Sequence, residues 1–173
     1  MATSVIAKGD EGERIWFGGG AIQFKVRSEE TGGAFAIIAD RAPRGKTTPL
    51  HAHPLFEETF CVIDGEILFH LDGVEASCGP GGVVSVPRGV PHAFLVTSEY
   101  ATFFTLFTPG EVAEAFLREG GDVPTSEDGD PPPLDIPRVV AAGEKTGGMV
   151  ALGPPPFAAL AAHVADDRSS PDL

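Results

Sequence analysis

The chain has 173 residues, 42% of them hydrophobic and 21% charged, and its formal net charge is −13. This length suits one domain with its own core, and the strongly acidic balance argues against binding a nucleic-acid backbone. The sequence has no apolar run long enough to span a membrane and no basic start followed by an apolar stretch, so we expect a cytoplasmic protein that is neither membrane-inserted nor exported. The two cysteines, Cys61 and Cys78, fall in strand-like runs, where we expect small buried hydrophobes without a redox role.

Glycine and proline are frequent, with 22 Gly and 16 Pro, and they favour many turns between short strands. From about residue 21 to residue 108, runs rich in Val, Ile, Phe and Thr alternate with Gly, Pro and Asp, which predicts an all-β core. Asp64-Gly65 and Asp72-Gly73 are typical of hairpin turns, so the middle of the chain is predicted to be an antiparallel meander. The predicted strands are residues 21–26, 34–39, 56–63, 66–71, 74–78, 83–86, 92–97 and 102–107.

A change of pattern after residue 107 predicts a helix. Thr108-Pro109-Gly110-Glu111 offers Thr108 as the N-cap and Pro109 at the first helical position, and Gly120-Gly121 offers a stop. Residues 122–133 are acidic and Pro-rich, which predicts an exposed loop that could serve as a lid. Two further helices are predicted at residues 136–142 and 157–164.

Three of the five histidines fall in two short stretches of the sequence. In an extended chain, residues two apart point to the same face, so His51 and His53 can offer two imidazoles to one point. Glu58 lies an odd number of residues from both, and a bend at Pro54 can reset the facing and turn Glu58 inward. His92 opens another strand directly after a rigid turn rich in Pro and Gly.

Three imidazoles and one carboxylate form a ligand set that suits one divalent transition metal, namely Fe, Ni, Co, Mn, Cu or Zn. Such a site keeps positions open for a substrate or for O2, which indicates catalysis. Phe60 on the strand of Glu58, and Phe94 and Val96 on the strand of His92, are candidate substrate contacts, although Phe60 and Phe94 also fit an ordinary core. His70 is expected to face solvent, and neither His70 nor His163 is given a role.

Two motifs carry a family resemblance. Gly45-x5-His51-x-His53-x4-Glu58-x6-Gly65 resembles the first cupin motif, and Gly81-x5-Pro87-x-Gly89-x2-His92 resembles most of the second. Glu57 is a rival ligand by spacing, and Glu58 is preferred because the six-residue step to Gly65 runs from it. The second motif usually ends in Asn where this chain has Val96, which predicts a more apolar pocket.

The resemblance implies a cupin or jelly-roll β-barrel with one or more short C-terminal helices. We expect a single domain over residues 1–173, with the barrel at about 15–108 and a helix and C-terminal extension at about 109–173. It also implies a homodimer, as in many cupins.

Within the cupins, the chain is most similar to the single-barrel quercetinase-like dioxygenases of bacteria. The similarity lies in residues 56–65, in the helix after Thr108-Pro109-Gly110 and in the late run Leu152-Gly153-Pro154-Pro155-Pro156. It implies a metal-dependent dioxygenase that uses O2 on a hydroxylated aromatic or enol-type small molecule, with flavonol 2,4-ring cleavage, as for quercetin, the best single candidate. Glu58 would then be both ligand and general base. The alternatives are an oxygen-independent cupin cyclase, isomerase or decarboxylase, and a ligand-binding cupin without catalysis.

Overall fold

The computed structural model describes residues 2–9, 11–124 and 131–157. Within these residues the chain forms strands and short helices in the following order. The strands are β1 (Glu13–Phe17), β2 (Gly20–Val26), β3 (Ala36–Pro43), β4 (Leu50–Ala52), β5 (Glu57–Asp64), β6 (Ile67–Leu71), β7 (Val74–Cys78), β8 (Val83–Val86), β9 (His92–Val96), β10 (Tyr100–Thr108) and β11 (Val150–Gly153). A 3-10 turn covers Ser28–Thr31, and the helices are α1 (Gly110–Gly120) and α2 (Ile136–Thr146).

The described strands form two antiparallel sheets. The first has the spatial order β1-β2-β3-β10-β5-β8, and the second has the order β11-β4-β9-β6-β7. This arrangement is a jelly roll, which confirms the predicted all-β fold class. Among the described residues, the strands form two facing sheets and not one closed barrel.

The predicted meander is wrong, because β5 and β6 are joined by Asp64-Gly65 but lie in different sheets. Gly65 has a φ of 80°, and a Cβ there would lie 2.1 Å from the carbonyl oxygen of Tyr100. Only glycine fits this close approach, which lets the chain cross from one sheet to the other. The Asp72-Gly73 turn does form the predicted hairpin between β6 and β7, with positive φ at both residues.

The core lies between the inner faces of the two sheets, where alternate residues of each strand meet. Phe60 and Phe103 of the first sheet lie beside Phe94 of the second, with ring centroids 5.7–6.0 Å apart. At the other end of the sandwich, α1 packs Phe116 and Leu117 into an apolar cluster with the first sheet. The cavity described below lies between these two groups of side chains.

The helices differ from their predicted bounds. Thr108 is not an N-cap, because it still pairs with Glu57 as the last residue of β10, and α1 begins at Gly110 with Pro109 as its N-cap. The second helix continues beyond residue 142 to Thr146, because Gly147, with a φ of 71°, supplies the stop. The third predicted helix lies outside the described residues except for Phe157, which packs on the outer face of the second sheet.

Three of the described strands were not predicted, namely β1, β4 and β11. β1 pairs with β2 through a turn in which Gly18 and Gly19 both have positive φ, a hairpin signal that is visible in the sequence. β11 comes from the C-terminal extension and pairs with β4.

Smaller expectations also changed. Cys61 and Cys78 are free but only partly buried. His70 does not face open solvent, because it is partly covered, with its ring centroid 6.4 Å from that of Phe157 and its Nδ1 3.6 Å from Glu75 Oε1. No helix in the described part of the chain is both long and apolar enough to cross a membrane.

Candidate metal centre

Four polar side chains converge inside the sandwich, and we call His51, His53, Glu58 and His92 the His/Glu cluster. All four are buried, and one potential ligand atom from each lies within 4.8 Å of the others. His51 on β4 pairs in register with His92 on β9, which brings the two histidine stretches of the sequence together. Donors of these types at these separations could hold a metal ion.

The break between β4 and β5 explains how Glu58 joins the histidines. β4 ends at Ala52 and β5 begins at Glu57, so the chain bends around Pro54 as the sequence predicts. In β5, Glu58, Phe60 and Val62 are buried on the inner face. Glu57, the rival ligand, is exposed and lies 4.0 Å from Arg88 in an ion pair.

Each imidazole of the cluster is held by a main-chain carbonyl oxygen. The Nδ1 atom of His51 lies 2.8 Å from Pro49 O, that of His53 lies 2.6 Å from Gly148 O, and that of His92 lies 2.8 Å from Val90 O. Because a carbonyl can only accept, each Nδ1 carries the proton, and each Nε2 is left as the metal-binding atom. The rings are therefore oriented as a metal site requires, with each Nε2 turned towards the cluster.

Glu58 is bonded within the cluster. Its Oε2 lies 3.0 Å from His92 Nε2 and 3.4 Å from His53 Nε2. Burial raises the pKa of Glu58, but the hydrogen bonds from His53 and His92 outweigh burial and hold this pKa below its usual value. Burial lowers the pKa of His92, while the hydrogen bond to Glu58 raises it, and the net result lies above the ordinary value of 6.5.

His51 behaves differently from His92. Burial, together with the charges of His92 and His53, lowers the pKa of His51 to about 3. His51 is therefore neutral at physiological pH, while the raised pKa of His92 favours a proton on His92, which is paired with the Glu58 carboxylate. A metal cation would replace that proton.

A cavity of about 100 Å³ adjoins the cluster. Its wall is mostly apolar and aromatic, and His51, His53 and Glu58 lie in it. The polar residues of the wall away from the cluster are Asp40, Lys46, Thr47, Thr48 and Thr105. The aromatic residues are Phe17, Phe56, Phe60, Phe94, Phe103, Phe107 and Phe116. Such a space suits a small, largely apolar molecule with few polar groups.

The predicted substrate contacts occupy two kinds of position. Phe60 and Phe94 line the cavity, whereas Val96 lies in the neighbouring core and is not part of the wall. Of the predicted loop 122–133, residues 125–130 lie outside the described residues. Leu134, just after that loop, lines the cavity, and a lid function of the loop stays a prediction.

Sequence reasoning missed several residues of the site. Gly148, 95 residues away in the sequence, orients His53, and no local sequence pattern predicts that contact. Asp40 and Lys46 also went unnoticed, and they form a buried ion pair in the cavity wall with Lys46 Nζ 2.6 Å from Asp40 Oδ2. We call these two residues the Asp40–Lys46 pair.

Two facing antiparallel sheets with a buried cluster of three histidines and one glutamate between them form the arrangement that the resemblance to cupins predicts. Residues 38–107 of the chain match the family described as Cupin domain. The resemblance predicted from the two motifs is confirmed.

The quercetin 2,3-dioxygenase of Bacillus subtilis (strain 168) is 27% identical over 121 residues, which cover 70% of this chain but only 36% of that protein. The chain therefore matches little more than a third of the length of this relative. The similarity supports the predicted likeness to quercetinase-like proteins.

Two solved structures share the fold. KdgF from a Halomonas species has a TM-score of 0.55 and 16% identity, with 62% of this chain and 94% of that chain covered. A predicted oxalate decarboxylase from Thermotoga maritima has a TM-score of 0.53 and 22% identity, with 62% of this chain and 99% of that chain covered. These similarities establish the fold alone.

Proposed function

We propose that this protein is a metal-dependent dioxygenase that acts on a hydroxylated aromatic or enol-type small molecule, with a flavonol such as quercetin as the leading candidate. One observation carries the proposal: a preorganised His/Glu cluster lies in the wall of an apolar, aromatic cavity. The similarity to a quercetin 2,3-dioxygenase supports the same reaction class.

In this proposal, His51, His53, Glu58 and His92 hold one divalent transition metal through three Nε2 atoms and a carboxylate oxygen. The donor set fits such an ion, because the Nδ1 protons are already held by carbonyls and the Nε2 atoms face the cluster. Fe, Ni, Co, Mn, Cu and Zn all suit this set. When bound, the ion would act as a Lewis acid towards a substrate hydroxyl and assist the reaction with O2.

Glu58 has two roles in the proposal. It belongs to the His/Glu cluster and also lines the cavity, so its carboxylate reaches the space where a substrate would lie. A carboxylate in that place can take the proton of a substrate hydroxyl and leave the substrate as an electron-rich anion. The aromatic wall, which includes Phe60, Phe94 and Phe103, would hold the rings by apolar and edge-to-face contacts.

The test is oxygen uptake by protein loaded separately with Fe, Ni, Co or Mn, with metal content verified. The substrates are a series of flavonols and simpler dihydroxy-aromatics. We expect rapid uptake with at least one metal and one flavonol, together with loss of the flavonol absorbance. Fully metallated protein that consumes no O2 with any of these compounds would contradict the dioxygenase.

An oxygen-independent cupin enzyme is the second candidate, because the same site could act as a Lewis acid alone and one fold can host different reactions. Conversion of a substrate under strict anaerobic conditions would favour it. Binding without conversion would favour a ligand-binding cupin.

We also propose that residues 1–173 form one domain, with the barrel at about 15–108 and the extension at about 109–173. Two contacts support the proposal: β11 of the extension pairs with β4, and Gly148 just before it holds His53. A chain truncated after residue 109 should therefore lose metal affinity as well as stability, which metal titration would measure.

A homodimer is proposed from the outer face of the first sheet. Ala39, Phe104, Cys61 and Val83 are neighbours in register across four strands and form an apolar row, in which Val83 is 62% exposed and Phe104 37% exposed. An apolar row of this kind favours pairing with a second copy. Light scattering should give the mass of a dimer, and Phe104→Asp should give that of a monomer. Cytoplasmic location stays a prediction from composition.

A further inference from the structure

The cavity contains a second buried charged site at a distance from the His/Glu cluster. Asp40 lies on β3, Lys46 follows the turn after β3, and their side chains are 6% and 8% exposed. Among the described residues that line the cavity, they are the only ionisable ones outside the cluster. A buried ion pair in an apolar cavity wall needs a physical explanation.

Stability does not supply that reason. The desolvation cost of a buried ion pair often equals or exceeds its Coulombic gain, and apolar replacements of similar volume are often neutral or stabilising. In addition, Asp40 Oδ1 is buried without a hydrogen-bond partner, and among described side chains only His70 Nδ1 shares this state. An unsatisfied buried acceptor costs free energy, and a hydrogen-bond donor from a ligand would recover it.

The strand register separates the two charged sites. Asp40 lies opposite Phe103 on β10, whereas Glu58 lies opposite Phe107 on the same strand. Four residues of antiparallel strand span ~14 Å, so the two backbone positions lie well apart along the sheet. A molecule that reaches both sites must be elongated, with polar groups at its two ends and apolar surface between them.

We propose that the Asp40–Lys46 pair is a specificity-determining anchor that binds a hydroxyl group of the substrate at the end remote from the metal. Asp40 accepts the hydroxyl hydrogen, and Lys46 donates to the hydroxyl oxygen. This inference rests on the proposed function for the substrate class, since it adds a second hydroxyl to the aromatic or enol compound that the His/Glu cluster would bind.

The chemistry of the pair selects a hydroxyl over a charged group. Lys46 Nζ carries three donors, and Asp40 Oδ2 is the partner that the described residues give it. Asp40 and Lys46 together are neutral, so a ligand carboxylate or ammonium would bring an unbalanced charge into an apolar space. A hydroxyl is neutral and offers one donor and an acceptor, which matches Asp40 and Lys46 respectively.

The test measures binding to full-length protein loaded with Zn, which is redox-inert and leaves the ligand intact. The probes are 3-hydroxyflavone, 3,7-dihydroxyflavone and 3,4′-dihydroxyflavone, which differ only in the remote hydroxyl. A hydrogen bond to a charged group predicts about 10- to 100-fold tighter binding of one dihydroxy compound than of 3-hydroxyflavone. In the double variant Asp40→Leu/Lys46→Met we expect this preference to vanish.

The matched control is Glu119→Leu/Lys145→Met, which removes an exposed ion pair of similar length, 2.7 Å compared with 2.6 Å for the Asp40–Lys46 pair. It should keep the wild-type preference. Thermal unfolding and Zn content verify that each variant is folded and loaded. Equal affinity of wild type for all three flavones would overturn the anchor, as would a preference that survives in the double variant.

A second arm separates this inference from the proposed function. Phenol and toluene are compared by calorimetry and by crystal soaks, because both are small enough to enter without a flavone-sized space. Phenol with its oxygen within hydrogen-bonding distance of Asp40 or Lys46 would support the anchor even if no flavone binds, and the flavonol assignment alone would then fail. Phenol that binds no better than toluene, or that lies elsewhere, would overturn the anchor even if flavonols are substrates.

Discussion

The two ends of the cavity hold buried charge in different ways. In the His/Glu cluster, each ring is fixed by a main-chain carbonyl, and the Glu58 carboxylate is bonded by His92. In the Asp40–Lys46 pair the ion pair is short, but Asp40 Oδ1 has no partner. The His/Glu cluster can thus bind a metal cation in place of a proton. The Asp40–Lys46 pair can instead accept a hydrogen bond from a neutral ligand.

The largest expected effect is loss of metal. His51→Ala removes one of the four metal donors. We expect metal affinity to fall by more than about 100-fold, because the loss of a residue that only orients a ligand already lowers affinity by up to about that factor. Elemental analysis after dialysis checks this. His70→Ala, which changes a partly buried histidine outside the cluster, should keep its metal. Full occupancy in His51→Ala would remove this residue from the proposed site.

The next effect separates metal binding from proton transfer. Glu58→Gln supplies a neutral amide oxygen as a ligand, in a side chain of the same size, but removes the base. We therefore expect turnover to fall by about 100-fold or more while metal content falls much less. Glu57→Gln, one residue away and exposed, is the control and should keep turnover. Steady-state oxygen uptake with metal content measured in parallel gives the answer. Unchanged turnover at full metal content in Glu58→Gln would sink the role of Glu58 as base.

The same contrast explains what the sequence could predict. Motif spacing predicted His51, His53, Glu58 and His92, because local rules of strand facing and the bend at Pro54 decide where these side chains point. The crossing at Gly65 was not predictable from the hairpin signal, because it depends on a close approach to Tyr100 in a distant strand.

The Asp40–Lys46 pair was missed for a related reason. Asp40 lies just beyond the end of the predicted strand 34–39, and only the register of β3 against β10 shows that it faces inward. Gly148 offers no chemical signal at all, because it acts through its carbonyl oxygen. Contacts that depend on tertiary register or on backbone atoms therefore lie beyond what one sequence shows.

A third prediction tests whether the Asp40–Lys46 pair stabilises the fold. Lys46→Met leaves a buried carboxylate unpaired and should lower the free energy of unfolding by about 3–5 kcal/mol. The double variant Asp40→Leu/Lys46→Met removes both charges, and we expect it to recover most of that loss. Denaturant unfolding of the two variants and wild type, all metal-free, measures both values. A double variant as unstable as Lys46→Met would show that the pair is structural.

The smallest expected effect is a pH dependence of metal affinity at the His/Glu cluster. The hydrogen bond to Glu58 raises the pKa of His92 above 6.5, so the metal-free protein holds a proton on this ring at and below that pH. The stability that this proton gives the metal-free protein is present below 6.5 and is lost as pH rises through the raised pKa of His92. A metal must displace the same proton, so its affinity should rise by about tenfold per pH unit until that pKa is passed and then level off.

Burial holds the pKa of His51 at about 3, so His51 adds no second proton to this range. Calorimetry in buffers of different ionisation enthalpy should therefore count close to one proton released per Zn bound below pH 6.5. A count near zero would mean that His92 holds no proton against Glu58 before the metal binds.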